Sequence, residues 1–122
     1  MGASSLDEVV IPEGVKEIGG AVFKNCTSLK SVNIPYSADK LGSEAFYGCE
    51  NLTDVKFEDY SLKTINESTF AECYALKEIK LPKGLQEIKG NAFVNCIELF
   101  DVTIPESVEK IAAKILSLIP FL

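Results

Sequence analysis

Residues 76–98 have the sequence LKEIKLPKGLQEIKGNAFVNCIE, and this stretch decides the fold. In its first half Ile79 and Leu81 alternate with charged residues, and Pro82 follows them. Alternation with a period of two is typical of a β-strand, and proline ends a strand because it has no N–H to donate to a sheet. The first half therefore predicts a short strand that stops at the proline.

The second half carries another apolar pair and then the motif Phe-x-x-Cys. Leu85 and Ile88 form the pair, which predicts a shorter extended piece. Phe93 and Cys96 are three residues apart, so on a helix they share one face. We expect one to two helical turns here, closed by Asn95 in a left-handed conformation.

The same pattern repeats along the chain. Cysteines recur at intervals of 23, 24 and 23 residues, with a phenylalanine three residues before each and a leucine three residues after. Five units of 23–24 residues result, starting at Leu6, Leu29, Leu52, Leu76 and Leu99. The repeated pairs are Phe23 and Cys26, Phe46 and Cys49, Phe70 and Cys73, and Phe93 and Cys96. This regular spacing predicts one repeat domain over residues 6–111, preceded by a leader at residues 1–5.

The third unit departs from the pattern. It has one more residue than its neighbours, and Glu58 stands where the other four units have proline. We therefore expect the turn near Asp59, Tyr60 and Ser61 to bulge outward.

A single unit of this length cannot bury its own apolar side, whereas stacked units form a continuous core. Strands stack about 4.8 Å apart, but packed helices need about 8 to 10 Å. The mismatch predicts a curved α/β solenoid of about five stacked units. Parallel strands would line its concave face, and short helices would line its convex face.

The composition excludes several functions. The 122 residues include no histidine and no arginine, and 12 lysines are set against 18 acidic residues. Without histidine, the Ser-His-Asp and Cys-His catalytic groups are absent. A net charge of −6 disfavours a nucleic-acid partner, because the phosphate backbone is itself negative. An enzyme that uses paired carboxylates needs two of them facing each other across a cleft. The acidic residues here occupy exposed positions that follow the repeat. We therefore predict no catalytic residue, no cofactor and no metal site.

The four cysteines allow three interpretations, namely zinc ligands, disulfides and core residues. Structural zinc sites use cysteines separated by two to four residues, and no such pair exists here. A disulfide needs Cα atoms within about 7 Å, and cysteines on neighbouring helices would lie farther apart. We therefore expect the cysteines and phenylalanines to form a structural ladder with one rung per unit.

The pattern resembles the BspA-like (Treponema-type) leucine-rich-repeat family, most clearly in residues 29–51 (LKSVNIPYSADKLGSEAFYGCEN) and residues 76–98. The resemblance extends from Leu6 to about Ile111. It implies a right-handed solenoid and a fragment of a bacterial or protist surface protein, on the cell surface or secreted. Members of the family are associated with adhesion to host matrix proteins or to other cells. The matching positions belong to the scaffold, so the resemblance implies no catalytic residue.

The concave strand face is the natural recognition surface of an open solenoid. Alternation points the residues beside the core positions outward, and the candidate binding residues are Glu8, Asn33, Asp54, Lys56, Glu78, Lys80, Phe100 and Asp101. Among them, Phe100 is an aromatic anchor at the edge of the face. The predicted function is a non-catalytic protein-interaction or adhesion module whose partner is a protein, such as a host matrix or cell-surface protein. The alternative for this face is a solvated surface of mixed charge with no partner.

Residues 112–122 are strongly apolar and predict a helix that caps the last unit. Terminal repeats normally carry a polar outer surface, so this C-terminal segment also suggests a homodimer. The alternative function is a structural spacer or a self-assembling segment that dimerises through its apolar ends. No apolar run reaches the roughly 18 to 20 residues that span a bilayer, so no membrane insertion of this segment is predicted.

Overall fold

The computed structural model describes residues 7–112, and within this range the chain forms a solenoid of about five turns with parallel strands. Each turn contributes a first strand of three or four residues and a second strand of two. The first strands are β1 (Glu8–Val10), β3 (Ser31–Ile34), β5 (Asp54–Phe57), β7 (Glu78–Lys80) and β9 (Asp101–Thr103). The second strands are β2 (Glu17–Ile18), β4 (Lys40–Leu41), β6 (Thr64–Ile65), β8 (Glu87–Ile88) and β10 (Lys110–Ile111). We call the surface of the first strands the strand face and that of the second strands the short-strand face.

The stacked units and their parallel strands confirm the predicted repeat solenoid. The leader predicted at residues 1–5 lies outside the described residues. The capping helix predicted at residues 112–122 also lies outside them, apart from Ala112.

The helices predicted for the convex face are wrong, because residues 7–112 contain no helix. Each Phe-x-x-Cys segment instead forms consecutive turns with two residues in the left-handed region, at φ between 56° and 73°. The first of these residues is Ala21, Glu44, Ser68 or Asn91, and the second is Asn25, Gly48, Glu72 or Asn95. A right-handed helix cannot contain them, since its φ values lie near about −60°. The molecule is therefore a β-solenoid rather than the predicted α/β solenoid.

The hydrogen bonds of these turns explain why no helix forms. The Phe46 N–H donates to the Thr69 carbonyl of the next unit at 2.9 Å, whereas the Tyr47 N–H donates back to the Glu44 carbonyl at 3.1 Å. Bonds between units and bonds within a turn alternate in the same way in the neighbouring segments. A helix would direct every N–H along its own axis, so it would leave none for the adjacent unit. The turns stack in the same way as the strands. The predicted mismatch between strand spacing and helix spacing therefore does not arise, and it cannot curve the solenoid.

The phenylalanine rings stack from unit to unit. Neighbouring ring centroids lie 5.3 Å apart for Phe23 and Phe46, 5.5 Å for Phe46 and Phe70, and 5.8 Å for Phe70 and Phe93, with interplanar angles of 9° or less. Phe57 meets the Phe70 ring edge-on at 6.2 Å. Phe46 and Phe70 are fully buried. The spacing matches offset stacking of aromatic rings and is shorter than packed helices would allow.

The extra residue of the third unit interrupts both sheets. Paired residues are 23 positions apart in the sequence where β5 pairs with β3 and where β8 pairs with β6. Among the described residues, however, no strand pairing joins β5 to β7 or β4 to β6. The extra residue therefore lies between Phe57 and Thr64. The third unit pairs through its first strand with the preceding units and through its second strand with the following ones.

A side chain replaces a backbone donor at one of these interruptions. In the second unit the Gly42 N–H donates to the Ile18 carbonyl of the unit before it, at 2.8 Å. At the matching position of the third unit the Asn66 side-chain Nδ2 donates to the Leu41 carbonyl at 2.7 Å. The amide thus joins β4 to the third unit at a place where β4 and β6 form no strand pairing.

Replacing Asn66 with alanine should remove this link. We expect the free energy of unfolding to fall by about 1 to 2 kcal/mol, because the Leu41 carbonyl loses its donor in a largely buried position. Denaturant titration followed by circular dichroism measures the change. Asn33→Ala is the matched control, because Asn33 is exposed on β3, and it should alter stability by less than about 0.5 kcal/mol. Equal effects of the two substitutions would contradict the role assigned to Asn66.

Candidate functional site

The strand face presents two exposed rows of side chains on either side of a buried row. Val55 and Ile79 point into the core, and the residues that flank them are exposed. Strand pairing aligns equivalent residues of adjacent units, as for Glu78 with Asp101 and Lys80 with Thr103. We call the row of Glu8, Asp54, Glu78 and Asp101 the acidic row. We call the row of Asn33, Lys56, Lys80 and Thr103 the lysine row.

A cavity of about 350 Å³ lies over β5, β7 and β9. We call it the strand-face cavity, and its lining includes Asp54, Lys56, Glu78, Lys80, Asp101 and Thr103. Among the described residues, neither lysine has a carboxylate oxygen within 4.0 Å of its Nζ. The charges of both rows therefore face solvent without being paired.

Five of the predicted binding residues thus come together, and three do not. Glu8 and Asn33 lie on β1 and β3, outside the strand-face cavity. Phe100 directly precedes β9, its N–H donates to the Lys77 carbonyl at 3.0 Å, and its side chain is 53% exposed. It stands next to the acidic row without lining the cavity.

A second cavity of about 480 Å³ adjoins the first, and sequence reasoning missed it. We call it the Tyr60 cavity, and it is lined by Tyr60, Lys80, Leu81, Lys83, Gly84, Thr103, Ile104, Pro105, Glu106 and Ser107. The two cavities share Lys80 and Thr103. The extra residue of the third unit was the only feature of the sequence that pointed to this region. It predicted an irregular turn, but it did not predict the Tyr60 cavity beside that turn.

The backbone of the irregular turn is fixed by hydrogen bonds. Tyr60 has a φ of 67°, and its N–H donates to the Lys83 carbonyl at 2.8 Å. The Lys83 N–H in turn donates to the Asp59 Oδ1 at 3.0 Å. The Ser61 hydroxyl donates to the Glu58 carbonyl at 2.8 Å, closing the turn without the proline of other units. These bonds fix the backbone of the turn, and Tyr60 remains 62% exposed.

The described residues contain no helix that is long and apolar enough to cross a membrane.

A family model described as "BspA type Leucine rich repeat region (6 copies)" matches residues 1–118. The chain belongs to the BspA-type leucine-rich-repeat family. The resemblance predicted from the repeat is thereby confirmed. No curated protein matches the sequence at a significant level.

Solved structures of bacterial leucine-rich-repeat proteins share the fold. A leucine-rich cell surface protein from Faecalibacterium prausnitzii A2-165 is 37% identical with a TM-score of 0.87, covering 92% of this chain and 29% of that one. A leucine-rich repeat protein from Bacteroides ovatus ATCC 8483 is 31% identical with a TM-score of 0.70, covering 88% of this chain and 33% of that one. The BspA-type chain described here thus spans about a third or less of the length of these structures.

The cysteines of this BspA-type chain face the backbone of the preceding unit. The thiols of Cys49, Cys73 and Cys96 each donate to the carbonyl of a phenylalanine there, at 3.0 to 3.3 Å. Burial raises the pKa of Cys49 and of Cys96 to about 12, and it raises that of Cys73 well above its ordinary value. The argument against disulfides relied on the distance between packed helices, and it does not apply because residues 7–112 contain no helix. These three cysteines are nevertheless thiols. Within residues 7–112, no three His, Cys, Asp or Glu side chains are grouped to hold a metal ion.

The outer surface formed by the turns carries a separate polar network. Both oxygens of Glu72 accept hydrogen bonds, from the Tyr47 hydroxyl at 3.0 Å and from the Tyr74 hydroxyl at 3.1 Å. These bonds to Glu72 raise the pKa of both tyrosines. Lys24 forms an ion pair with Glu44 at 3.2 Å and lies 5.0 Å from the Tyr47 ring centroid. The groups of this network satisfy one another, in contrast to the unpaired charges of the strand face.

Burial of the thiols has a measurable consequence. Because a pKa of about 12 replaces the ordinary 9.0, the thiolate fraction of Cys49 and Cys96 at pH 8 falls roughly a thousandfold on folding. We expect iodoacetamide to alkylate both residues slower in the native than in the denatured chain by about that factor. Peptide mapping by mass spectrometry resolves each site, and similar native and denatured rates would contradict the burial.

The same pKa difference makes the free energy of unfolding depend on pH. Thiols in the unfolded chain lose their protons at a lower pH than the buried thiols do, so the free energy of unfolding should decline as the pH rises from 9 towards 12.

Proposed function

We propose that this chain is a non-catalytic protein-interaction module that binds a protein through the strand face around its third unit. The observation that carries the proposal is the pair of adjoining cavities where the repeat is interrupted. Solenoid proteins use extended repeat faces for recognition, and insertions in single repeats often lie on the binding face. Here the interruption places a cavity with an exposed tyrosine beside two rows of unpaired charge.

Adhesion at a cell surface is the setting that we propose for this interaction. Its support is that the similar Faecalibacterium protein is a cell surface protein, together with the family to which the chain belongs. The partner would be a host matrix or cell-surface protein, and a net charge of −6 disfavours nucleic acid. Residues 6–111 would form the binding domain, with the stacked phenylalanines and cysteines as its scaffold.

Catalysis does not fit the strand face. Asp54, Glu78 and Asp101 are all exposed, whereas a glycosidase needs one of its two carboxylic acids in a desolvated position. The proposed role is therefore binding alone.

Binding to purified matrix and cell-surface proteins at micromolar concentration tests the proposal, with biolayer interferometry as the measurement. Charge reversal by Lys80→Glu or Glu78→Lys should weaken binding at least tenfold, which is the loss of about 1.4 kcal/mol expected for a residue central to an interface. Lys16→Glu is the matched control, because Lys16 is an exposed lysine in the segment before β2. The proposal fails if no such protein binds, or if the control weakens binding as much as the strand-face variants do.

Self-assembly is the second candidate function, and the first unit favours it. A cavity of about 160 Å³ there has mainly apolar walls that include Ile11, Val15 and Phe23, and Val22 at its edge is 45% exposed. A second copy of the chain could cover this surface. The C-terminal segment also predicted to dimerise lies outside the described residues.

Light scattering from dilute to concentrated solution tests self-assembly. A dimer that Val22→Glu converts to a monomer would support it, because the substitution would place a charge inside the apolar contact. Tyr36→Glu is the control, since Tyr36 is exposed in the turn after β3 and should leave the mass unchanged. A monomer at every concentration would exclude this function for the chain.

A further inference from the structure

The two cavities and the two charged rows lie along one line that follows β7. Glu78 and Lys80 are successive outward-facing residues of this strand, and the Tyr60 cavity opens just beyond its end. In an extended strand, side chains on the same side recur about every 6.8 Å. The line therefore has three stations, namely the acidic row, the lysine row and the Tyr60 cavity. The first two lie two residues apart on β7, and Lys80 and Thr103 of the second also line the third.

The first two stations have opposite charge. At the first, Asp54, Glu78 and Asp101 of three adjacent units line the strand-face cavity. At the second, Lys56 and Lys80 stand beside the uncharged Thr103. A partner with a basic side chain at the first station and an acidic one at the second would form charge-assisted hydrogen bonds at both. The exchanged order would place like charges together at both, which disfavours binding.

The third station is apolar and has room for one large side chain. Its cavity of about 480 Å³ contains the exposed Tyr60 ring, with Leu81, Ile104 and Pro105 among the lining residues. The hydrogen bonds of the irregular turn hold the Tyr60 backbone in place, so little ordering is required on binding. An aromatic or aliphatic side chain buried here would be the main anchor of a partner.

An extended peptide has the same two-residue interval as the two charged rows. Its side chains on one side recur about every 6.8 Å, which is farther than the roughly 6 Å between residues four apart on a helix. From this match we infer that the strand face binds an extended peptide segment of its partner, with basic, acidic and large apolar side chains at alternate positions. The inference rests on the proposed function and adds the chemistry and the conformation of the partner.

A fluorescent peptide Ser-Lys-Ser-Glu-Ser-Tyr-Ser tests the inference by anisotropy. The reversed sequence is measured too, because the three stations do not fix the direction of the bound chain. In each direction, exchanging Lys and Glu or replacing Tyr with Ser keeps the length and should weaken binding at least tenfold. The inference requires that one direction binds and that both of its altered forms lose this affinity.

Variants of the protein identify the site. Tyr60→Ser should weaken peptide binding at least tenfold. Its matched control is Tyr36→Ser, since Tyr36 is 61% exposed against 62% for Tyr60 but lies in the turn of the second unit. The double variant Glu78→Lys with Lys80→Glu removes most of the charge difference between the two rows and should weaken binding of the original peptide at least tenfold. All these positions are exposed, and thermal melts verify that each variant folds.

The outcomes separate this inference from the proposed function. Binding of a whole protein that depends on Lys80 and Tyr60, with no peptide bound, would overturn the extended-peptide inference and leave the interaction function standing. Peptide binding that is unchanged in the double variant would overturn the assignment of the stations. Absence of both protein and peptide binding would overturn the function together with the inference.

Discussion

The structure depends on one constraint, which is that the strands and turns of a unit bond to the adjacent units, with a regular pattern that is interrupted only at the third unit in the described residues. The turns obey it because their N–H groups alternate between partners, as when Phe46 bonds to Thr69 at 2.9 Å while Tyr47 bonds back to Glu44. Left-handed residues make this alternation possible, since they reverse the chain before a helix can continue. The phenylalanine rings stack from unit to unit in the same way, with neighbouring centroids 5.3 to 5.8 Å apart, so the core and the backbone repeat together.

An extra residue in one unit has to be accommodated outside the regular pattern, and in the third unit it lies between Phe57 and Thr64. The added residue of the third unit therefore takes β5 out of pairing with β7 and β4 out of pairing with β6. Asn66 spans one of these gaps with its side chain. Near the other, the turn that carries Tyr60 bonds to Lys83 and encloses a cavity. The candidate site is thus a direct consequence of the constraint, because it occurs where the regular stacking fails.

The repeat, the strand register and the outward-facing rows could be predicted from the sequence because they depend on local alternation and on a fixed interval. The helices were predicted wrongly because a spacing of three residues between Phe and Cys fits consecutive turns as well as a helix. Asn25, Gly48 and Asn95 signalled a left-handed position, whereas Ala21 and Glu44 have no preference for one, and their φ values near 60° follow from bonding between units. The cavities escaped prediction because they depend on which neighbour each strand of the third unit pairs with.

The charges of the two faces are arranged differently. On the short-strand face opposite charges stand side by side, since Glu17 pairs in register with Lys40 and Glu87 with Lys110. On the strand face Glu78 pairs in register with Asp101, so two like charges stand side by side. Adjacent like charges on neighbouring strands oppose folding, whereas opposite charges favour it. Next to its two cavities the strand face thus carries a pair of like charges on neighbouring strands, beside the lysine row.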